Sequence, residues 1–318
     1  MTFVSVCVEW DNFKPSRAHR PRAMLQSIDR QAAALGRPAE IIITFNSEEV
    51  AKDDVESFVE GAGVRPRPGV DVRYEGRDGI EYHQLKNAGG DVANGEIVAF
   101  IDSDVVPEDT WLAAIAEAFE DPDVEVVSGA TYTGPLDSLY NRCVASFWRF
   151  EPRPDDAPPE TGRGFWSNNV AFRRETFAKH HWPVDPRIRD ENVDFNRNIT
   201  AAGVRMVHAP KARLEHSPPI SAGHFVRYGL SDGFNRALRR VGRSPALVVL
   251  AIPVALAAIV TDMARFGSKI ARRWRRVGLR PAELPAAVGL ALCMALVTAA
   301  GCAITPLTGD LIPNRFQF

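Results

Sequence analysis

Over the first 130 residues, short apolar runs and amphipathic stretches take turns along the chain. FVSVCV (3–8), EIIITF (40–45) and EIVAFI (96–101) are nearly unbroken apolar segments of strand length, and VDVRY (70–74) alternates residue by residue. Between them, Met24, Leu25, Ile28, Ala32 and Leu35 recur at helical spacing with Gly36 as a stop. Val55, Phe58 and Val59 suit a short covering helix, and Trp111, Leu112, Ile115 and Phe119 another. VEVVSGA (124–130) reads as a fifth strand. This order predicts an α/β domain with a mixed, mainly parallel sheet flanked by helices.

The middle of the chain is less regular. EPRPDDAPPETGRG (151–164) is rich in proline and charge and reads as a mobile loop of the kind that serves as a lid. FWSNNVAFRR returns to strand character, NVDFNRNITAAG carries a helical face of Phe195, Ile199 and Ala202, and VRMVHAP is a last strand. The pattern then changes. The run 244–261 is uncharged, and 284–307 gives 24 uncharged residues, enough to cross a bilayer. The expected division is an α/β domain at 1–220, a basic and aromatic juxtamembrane helix at 221–243, two apolar membrane segments within 244–307 joined by a basic linker (262–283), and a short tail at 308–318.

Charge sharpens this picture in one place. The net charge of −2 gives no reason to expect nucleic acid, but eleven of the 38 Lys and Arg fall between Arg236 and Arg280, around the first apolar run. Seven of these lie in the linker and favour a cytoplasmic location for it. With the α/β domain also cytoplasmic, the first run, which contains Pro253, would enter and return or lie in the interface; a conventional hairpin is the alternative. Either way the chain is expected at a cell inner or plasma membrane, in contact with membrane lipids. The four cysteines have neither metal-ligand spacing nor a disulfide pattern.

The candidate chemistry sits where EIVAFI ends in Asp-Ser-Asp. In a doubly wound sheet, ligands bind beyond the carboxyl ends of the strands. Asp102 and Asp104, two apart in an extended segment, would project to one side. Two carboxylates there repel unless a cation lies between them, and magnesium or manganese suits such a pair together with phosphate oxygens. The alternative is that both aspartates only bond turn amides ahead of the next helix.

NGEIVAFIDSDVVPEDTWL resembles the metal-binding segment of family 2 glycosyltransferases, and three further blocks follow the family in order: YHQLKNAGGDVANG, GFWSNNVAFRRETF and RDENVDFNRNITAAGVRMVHAPKARLEH. The resemblance spans roughly residues 3–216. It implies a GT-A fold and an inverting transfer of sugar from a nucleoside diphosphate to a hydroxyl. The mixed aromatic and Arg segment HFVRYGLSDGFNRALRRVGRSP (224–245), placed to lie on lipid head groups, points to a lipid-linked or cell-surface glycan as acceptor. The resemblance further implies a metal held by Asp102, Asp104 and His216, and a nucleotide-sugar site at Lys86, Asn87, Asp102 and Ser103, with Lys86 alternatively a solvated helix lysine. Glu9 and Asn46, which stand where the sequence departs from the family, are the residues left to read the base. The acceptor side would comprise Trp166, Asn168 and Asn169.

Two departures stand out. The family places a basic Glu-Asp pair at the start of the acidic helix, whereas here the pair reads Glu191-Asn192, and an amide cannot take a proton. That leaves Asp190 or Glu191 as the base, with Asp194 as a third candidate. TFNSEE presents Asn46 where the family has adjacent aspartates, so the choice of nucleotide stays open among UDP, GDP and dTDP. Three other classes compete with this reading. A catalytically inert nucleotide-sugar-binding scaffold is compatible with Asn192. A nucleotidyltransferase calls for a glycine-rich loop after the first strand, and EWDNFKPSRAHR has no glycine. A Rossmann oxidoreductase calls for Gly-x-Gly-x-x-Gly there, which is missing.

Overall fold

The computed structural model describes residues 3–13, 19–80, 82–154, 160–161, 164–184, 191–218, 221–241 and 248–308. Strand and helix alternate through β1 (Val4–Glu9), α1 (His19–Ala34), β2 (Ala39–Asn46), α2 (Lys52–Gly61), β3 (Val70–Arg77), α3 (Tyr82–Asp91) and β4 (Ile97–Asp102). Then come β5 (Val105–Pro107), α4 (Trp111–Ala118), β6 (Val126–Thr133), α5 (Leu139–Phe147), β7 (Glu160–Thr161), β8 (Asn169–Arg173), α6 (Arg174–Lys179), α7 (Glu191–Ala201) and β9 (Met206–His216). Three long helices close the described chain: α8 (Ala222–Val241), α9 (Val248–Arg273) and α10 (Leu284–Thr308).

The strands form one sheet in the order β3-β2-β1-β4-β8-β6-β9-β5, with β7 paired to β9. The first four are mutually parallel, whereas β8 runs antiparallel to β4 and β6, and β5 antiparallel to β9. Residue parity decides which face each side chain meets. Val4, Val6 and Val8 of β1, Ile41 and Ile43 of β2, and Ile97, Ala99 and Ile101 of β4 join α1, α2 and α4 in one core. Cys7, Ile42, Val98 and Phe100 point the other way, toward Phe177, Trp182, Phe195 and Ile199. Full burial of each large side chain stabilises by about 1.5–3 kcal/mol. These strands are covered on both faces, which is why their sequences read as continuous apolar runs.

Part of the expected 151–164 loop is strand: Glu160 and Thr161 pair with His208 and Val207. Residues 155–159 and 162–163 lie outside the described residues.

The chain divides into two compact units, one drawn from residues 1–132, 154–184 and 191–216, the other from 133–153 and 217–318. The expected boundary near 220 therefore differs in one respect: segment 133–153 belongs with the C-terminal helices. The reason is apolar. Cys143, Val144 and Phe147 of α5, followed by Trp148 and Phe150, share a core with Phe266 and Ile270 of α9 and Ala287, Ala291 and Met294 of α10.

The same core corrects the reading of 262–283 as a plain linker. α9 continues through Pro253 to Arg273, because Phe266 and Ile270 are buried one helical turn apart. Asp262 is 2% exposed and is satisfied by the Arg236 guanidinium (2.9 Å to each oxygen) and by Arg265 (3.2 Å). Among the described residues a single helix, Pro281–Ile304, is long and apolar enough to cross a membrane (mean hydropathy 2.2). The first expected segment, 244–261, begins outside the described residues, and its described part is the opening half of α9, whose other half carries charge.

Candidate active site

Register places the first two carboxylates. Because β1 and β4 are parallel neighbours, Glu9 pairs with Asp102 at the carboxyl edge of the sheet. Asp102 ends β4, and the chain turns at Ser103 and Asp104 before β5 begins. The period-two expectation fails at this turn, because Asp102 and Asp104 are not in one extended segment. Asp102 is held by α3, where the Lys86 ammonium donates to Oδ1 at 2.6 Å and the Tyr82 hydroxyl donates to the two oxygens at 2.8 and 2.9 Å. Asp104 lies beside β9. Val105 pairs with His216, and His216 Nε2 stands 3.8 Å from Asp104 Oδ2.

Arg20 of α1 locks that second side. Its Nε donates to the Asp104 carbonyl (2.8 Å), while its two terminal nitrogens donate to Glu215 Oε1 (3.0 Å) and to the Glu215 carbonyl (2.9 Å). One buried guanidinium thus fixes the turn after β4 to the end of β9. Bidentate arginine contacts of this kind fix geometry as well as supplying energy.

Electrostatics separate the carboxylates further. Burial, reinforced by the neighbouring Asp102 carboxylate and partly offset by Lys86, holds Glu9 well above the usual carboxylate range. Burial also raises Asp104, with His216 and Arg20 opposing the shift and Asp102 adding to it. Burial and Asp102 keep the Tyr82 phenol well above its ordinary value, so the hydroxyl remains a donor. Asp104 Oδ1 is buried and has no hydrogen-bond partner, and the Ser103 hydroxyl is in the same condition. An orphaned buried carboxylate oxygen beside an imidazole is a donor set that suits a divalent cation. The full expected shell is not assembled, however: among the described residues no three His, Cys, Asp or Glu side chains cluster tightly enough to hold a metal. The reason is Asp102, which is turned toward Lys86 and Tyr82.

Several other expected residues have different duties. Lys86 does not face open space toward a phosphate; its side chain is 0% exposed and neutralises Asp102. Asn87 spends both polar atoms on the Trp182 backbone, donating to its carbonyl (3.0 Å) and accepting from its N–H (3.1 Å). Asn46 Oδ1 accepts the Glu48 and Gly79 N–H groups, both at 3.1 Å, and so braces a turn. Glu9 is fully buried, and its Oε1 accepts the Ser103 N–H at 3.3 Å, which places it beneath the turn instead of against a base.

Of the residues expected on the acceptor side, Asn169 accepts from Trp111 Nε1 (2.9 Å) and donates to the Ala212 carbonyl (3.0 Å). That crossing needs Gly129, where a Cβ would fall 2.3 Å from Asn169 Oδ1. Asn168 is buried and accepts from Thr131 Oγ1 at 3.0 Å. Trp166 is 40% exposed, the most open of the three.

Asp190 and the Glu191 side chain lie outside the described residues. Asn192 does not: it is buried, its amide donates to the Phe165 carbonyl (2.9 Å), and its Oδ1 has no partner. Asn196, one turn on, accepts the Phe165 N–H (2.8 Å). The start of α7 therefore grips the 164–168 loop.

Sequence reading missed Tyr82, Arg20, Glu215 and Ser167. An arginine within SRAHRPR and a tyrosine opening a helix carry no local signal of their role; only the strand register reveals their partners. A groove of about 480 Å³ elsewhere on the unit, lined by Glu117, Glu120, Asp121, Glu160 and Lys211, contains none of the expected residues. Its acidic rim repels a diphosphate.

No curated sequence is significantly similar to this chain. Among solved structures it is similar to the mannosyltransferase PcManGT from Pyrobaculum calidifontis in complex with GDP-Man and Mn2+, with TM-score 0.54 and 18% identity over 96% of this chain and 86% of that one. It is also similar to residues 1–349 of S. aureus TarS, with TM-score 0.48 and 13% identity over 87% of this chain and 90% of that one. The first likeness identifies the fold as GT-A. The Glycosyl transferase family 2 model matches residues 22–180, half of the chain, and the protein belongs to that glycosyltransferase family.

Proposed function

We propose that the protein is a metal-dependent, inverting glycosyltransferase. It moves a sugar from a nucleoside diphosphate to a hydroxyl of a lipid-linked or cell-surface glycan at the cytoplasmic face of a membrane. The observation that carries this reading is the orphaned Asp104 oxygen at the carboxyl edge of the sheet, next to His216 and fixed there by Arg20.

Asp104 and His216 would hold the cation, manganese or magnesium. The bound ion supplies positive charge against the negative charge that grows on the departing diphosphate. The protein's own residues prepare the rest. Lys86 neutralises Asp102, so the unpartnered Oδ1 of Asp104 does not face a second repelling carboxylate. Asp102 and Ser103 supply oxygen acceptors and an unpartnered hydroxyl to the ribose side of a donor. Glu191, the first residue of α7, or Asp190, which precedes it in the sequence, takes the acceptor proton. The N-terminal end of a helix stabilises the carboxylate form and weakens either residue as a base. The adjacent Asn192 contributes an unpartnered amide oxygen, which accepts a hydrogen bond but not a proton.

Membrane attachment is supported by Pro281–Ile304 and by two exposed apolar stripes at four-residue spacing. These are Ile252, Leu256 and Val260 on α9, and Val288, Leu292 and Leu296 on α10. The basic residues at 265–280 supply the matching charge for anionic lipid.

The test is release of nucleoside diphosphate by purified protein with manganese and a panel of sugar nucleotides. GDP-mannose comes first, because the mannosyltransferase with the shared fold was solved with GDP-Man and Mn2+. Release that is lost in Asp104→Asn and lost on chelation supports the reading. Asp190→Asn and Glu191→Gln, made singly, identify the base. Asn192 favours one rival, an inert sugar-nucleotide-binding scaffold. That reading requires binding without release under every condition.

A further inference from the structure

Tyr82 makes a contact that the proposed reaction does not use. It stands at the first position of α3, between the donor carboxylate and the acceptor-side loop. Its hydroxyl lies 2.8 and 2.9 Å from the Asp102 oxygens and 3.0 Å from Ser167 Oγ, 85 residues along the chain. Ser167 sits between the exposed Trp166 and the buried Asn168, within the segment whose Phe165 backbone is gripped by Asn192 and Asn196.

The direction of this chain follows from valence. A phenol has one proton, and a carboxylate offers only acceptors. Tyr82 therefore gives its proton to Asp102, and the Ser167 hydroxyl donates to the Tyr82 oxygen. The result is a one-way relay, Ser167 to Tyr82 to Asp102, whose links polarise one another. The Tyr82 oxygen stands at nearly equal distances from the two Asp102 oxygens, so its proton can turn to either. A ribose hydroxyl that draws on one of those oxygens shifts that proton toward the other and moves the oxygen on which Ser167 rests.

We propose that Tyr82 is a positioning residue that couples donor occupancy at Asp102 to the setting of the acceptor loop at 164–169. The proposal rests on the donor-site reading above and adds the route by which a filled donor site reaches the acceptor side. Lys86 holds Asp102 in place without Tyr82, so loss of the phenol hydroxyl removes the coupling and leaves the carboxylate where it is.

The test uses the full-length protein with manganese plus GDP or UDP as probes. Amide hydrogen exchange is read on the peptide covering 164–170. In wild type, adding the probe slows exchange in that peptide by about tenfold, the size that one hydrogen bond to a charged group sets. Tyr82→Phe and Ser167→Ala each reduce the slowing to less than about twofold, and the double variant does no worse than either single one, as coupled sites require. Nucleotide affinity, measured in parallel by calorimetry, falls in each variant by about the factor that the loop response loses, as reciprocal coupling requires. Unchanged slowing in Tyr82→Phe overturns the coupling, as does a double variant whose loss is the sum of the two. A wild-type protein that binds neither nucleotide with manganese overturns the donor-site reading, and the coupling with it.

Discussion

Lys86 and Asp102 form the most consequential ion pair in the catalytic unit, and substituting Lys86→Met tests what the pair does. The side chains are 0% and 6% exposed, with 2.6 Å between nitrogen and oxygen. Methionine fills nearly the same volume, so the substitution removes a charge and leaves little cavity. It leaves Asp102 buried against Glu9, whose carboxyl already has a raised pKa from burial and from Asp102 itself. Removing one partner of a buried pair costs about 3–5 kcal/mol, because the remaining charge is uncompensated. For a unit of this size, each kcal/mol lowers the melting temperature by about 2–4 °C, so the shift is roughly 6–20 °C. Thermal unfolding followed by tryptophan fluorescence reads it. Lys86→Met/Asp102→Asn recovers most of the loss, since an amide needs no counter-charge and Tyr82 can still bond to it. A Lys86→Met protein within about 1 kcal/mol of wild type would refute the reasoning, since that is the range of exposed pairs. So would a double variant less stable than the single one.

Two further outcomes follow from the same geometry. Arg20→Gln breaks the clamp between the Asp104 carbonyl and Glu215, and weakens manganese binding by about tenfold without removing a ligand, as a manganese titration would show. His208 is depressed from its ordinary value by burial, with Glu160 opposing the shift. The unfolded chain therefore takes up the proton first as pH falls below about 6.5, and stability drops with it. Stability is retained above that range, and His208→Gln flattens the acid limb of a urea-midpoint profile taken across pH 5–8.

How much of this was legible in the sequence depended on the range of the interaction. The parallel strands announced themselves, because burial on both faces turns each into an apolar run, and the Asp-Ser-Asp at the end of β4 followed from that. Contacts set by register did not. Asp104 and His216 are far apart in the chain and meet only because β5 folds back on β9, and Arg20 is indistinguishable from its neighbours until that pairing exists. The family resemblance of YHQLKNAGGDVANG points Lys86 and Asn87 toward a nucleotide sugar. The helix instead aims one at Asp102 and the other at the Trp182 backbone. The place of 133–153 was hidden for a similar reason, since α5 finds its apolar partners more than a hundred residues later.

The central claim is that Asp104 grips a divalent cation on which a sugar nucleotide is held. Manganese binding followed by electron paramagnetic resonance, with and without GDP or UDP, tests it most directly in wild type and Asp104→Asn. The account predicts that wild type depletes the free-manganese signal, more so with nucleotide. It also predicts that the variant loses affinity by more than the about tenfold to hundredfold of an outer-shell change. Equal depletion by the two proteins would contradict it.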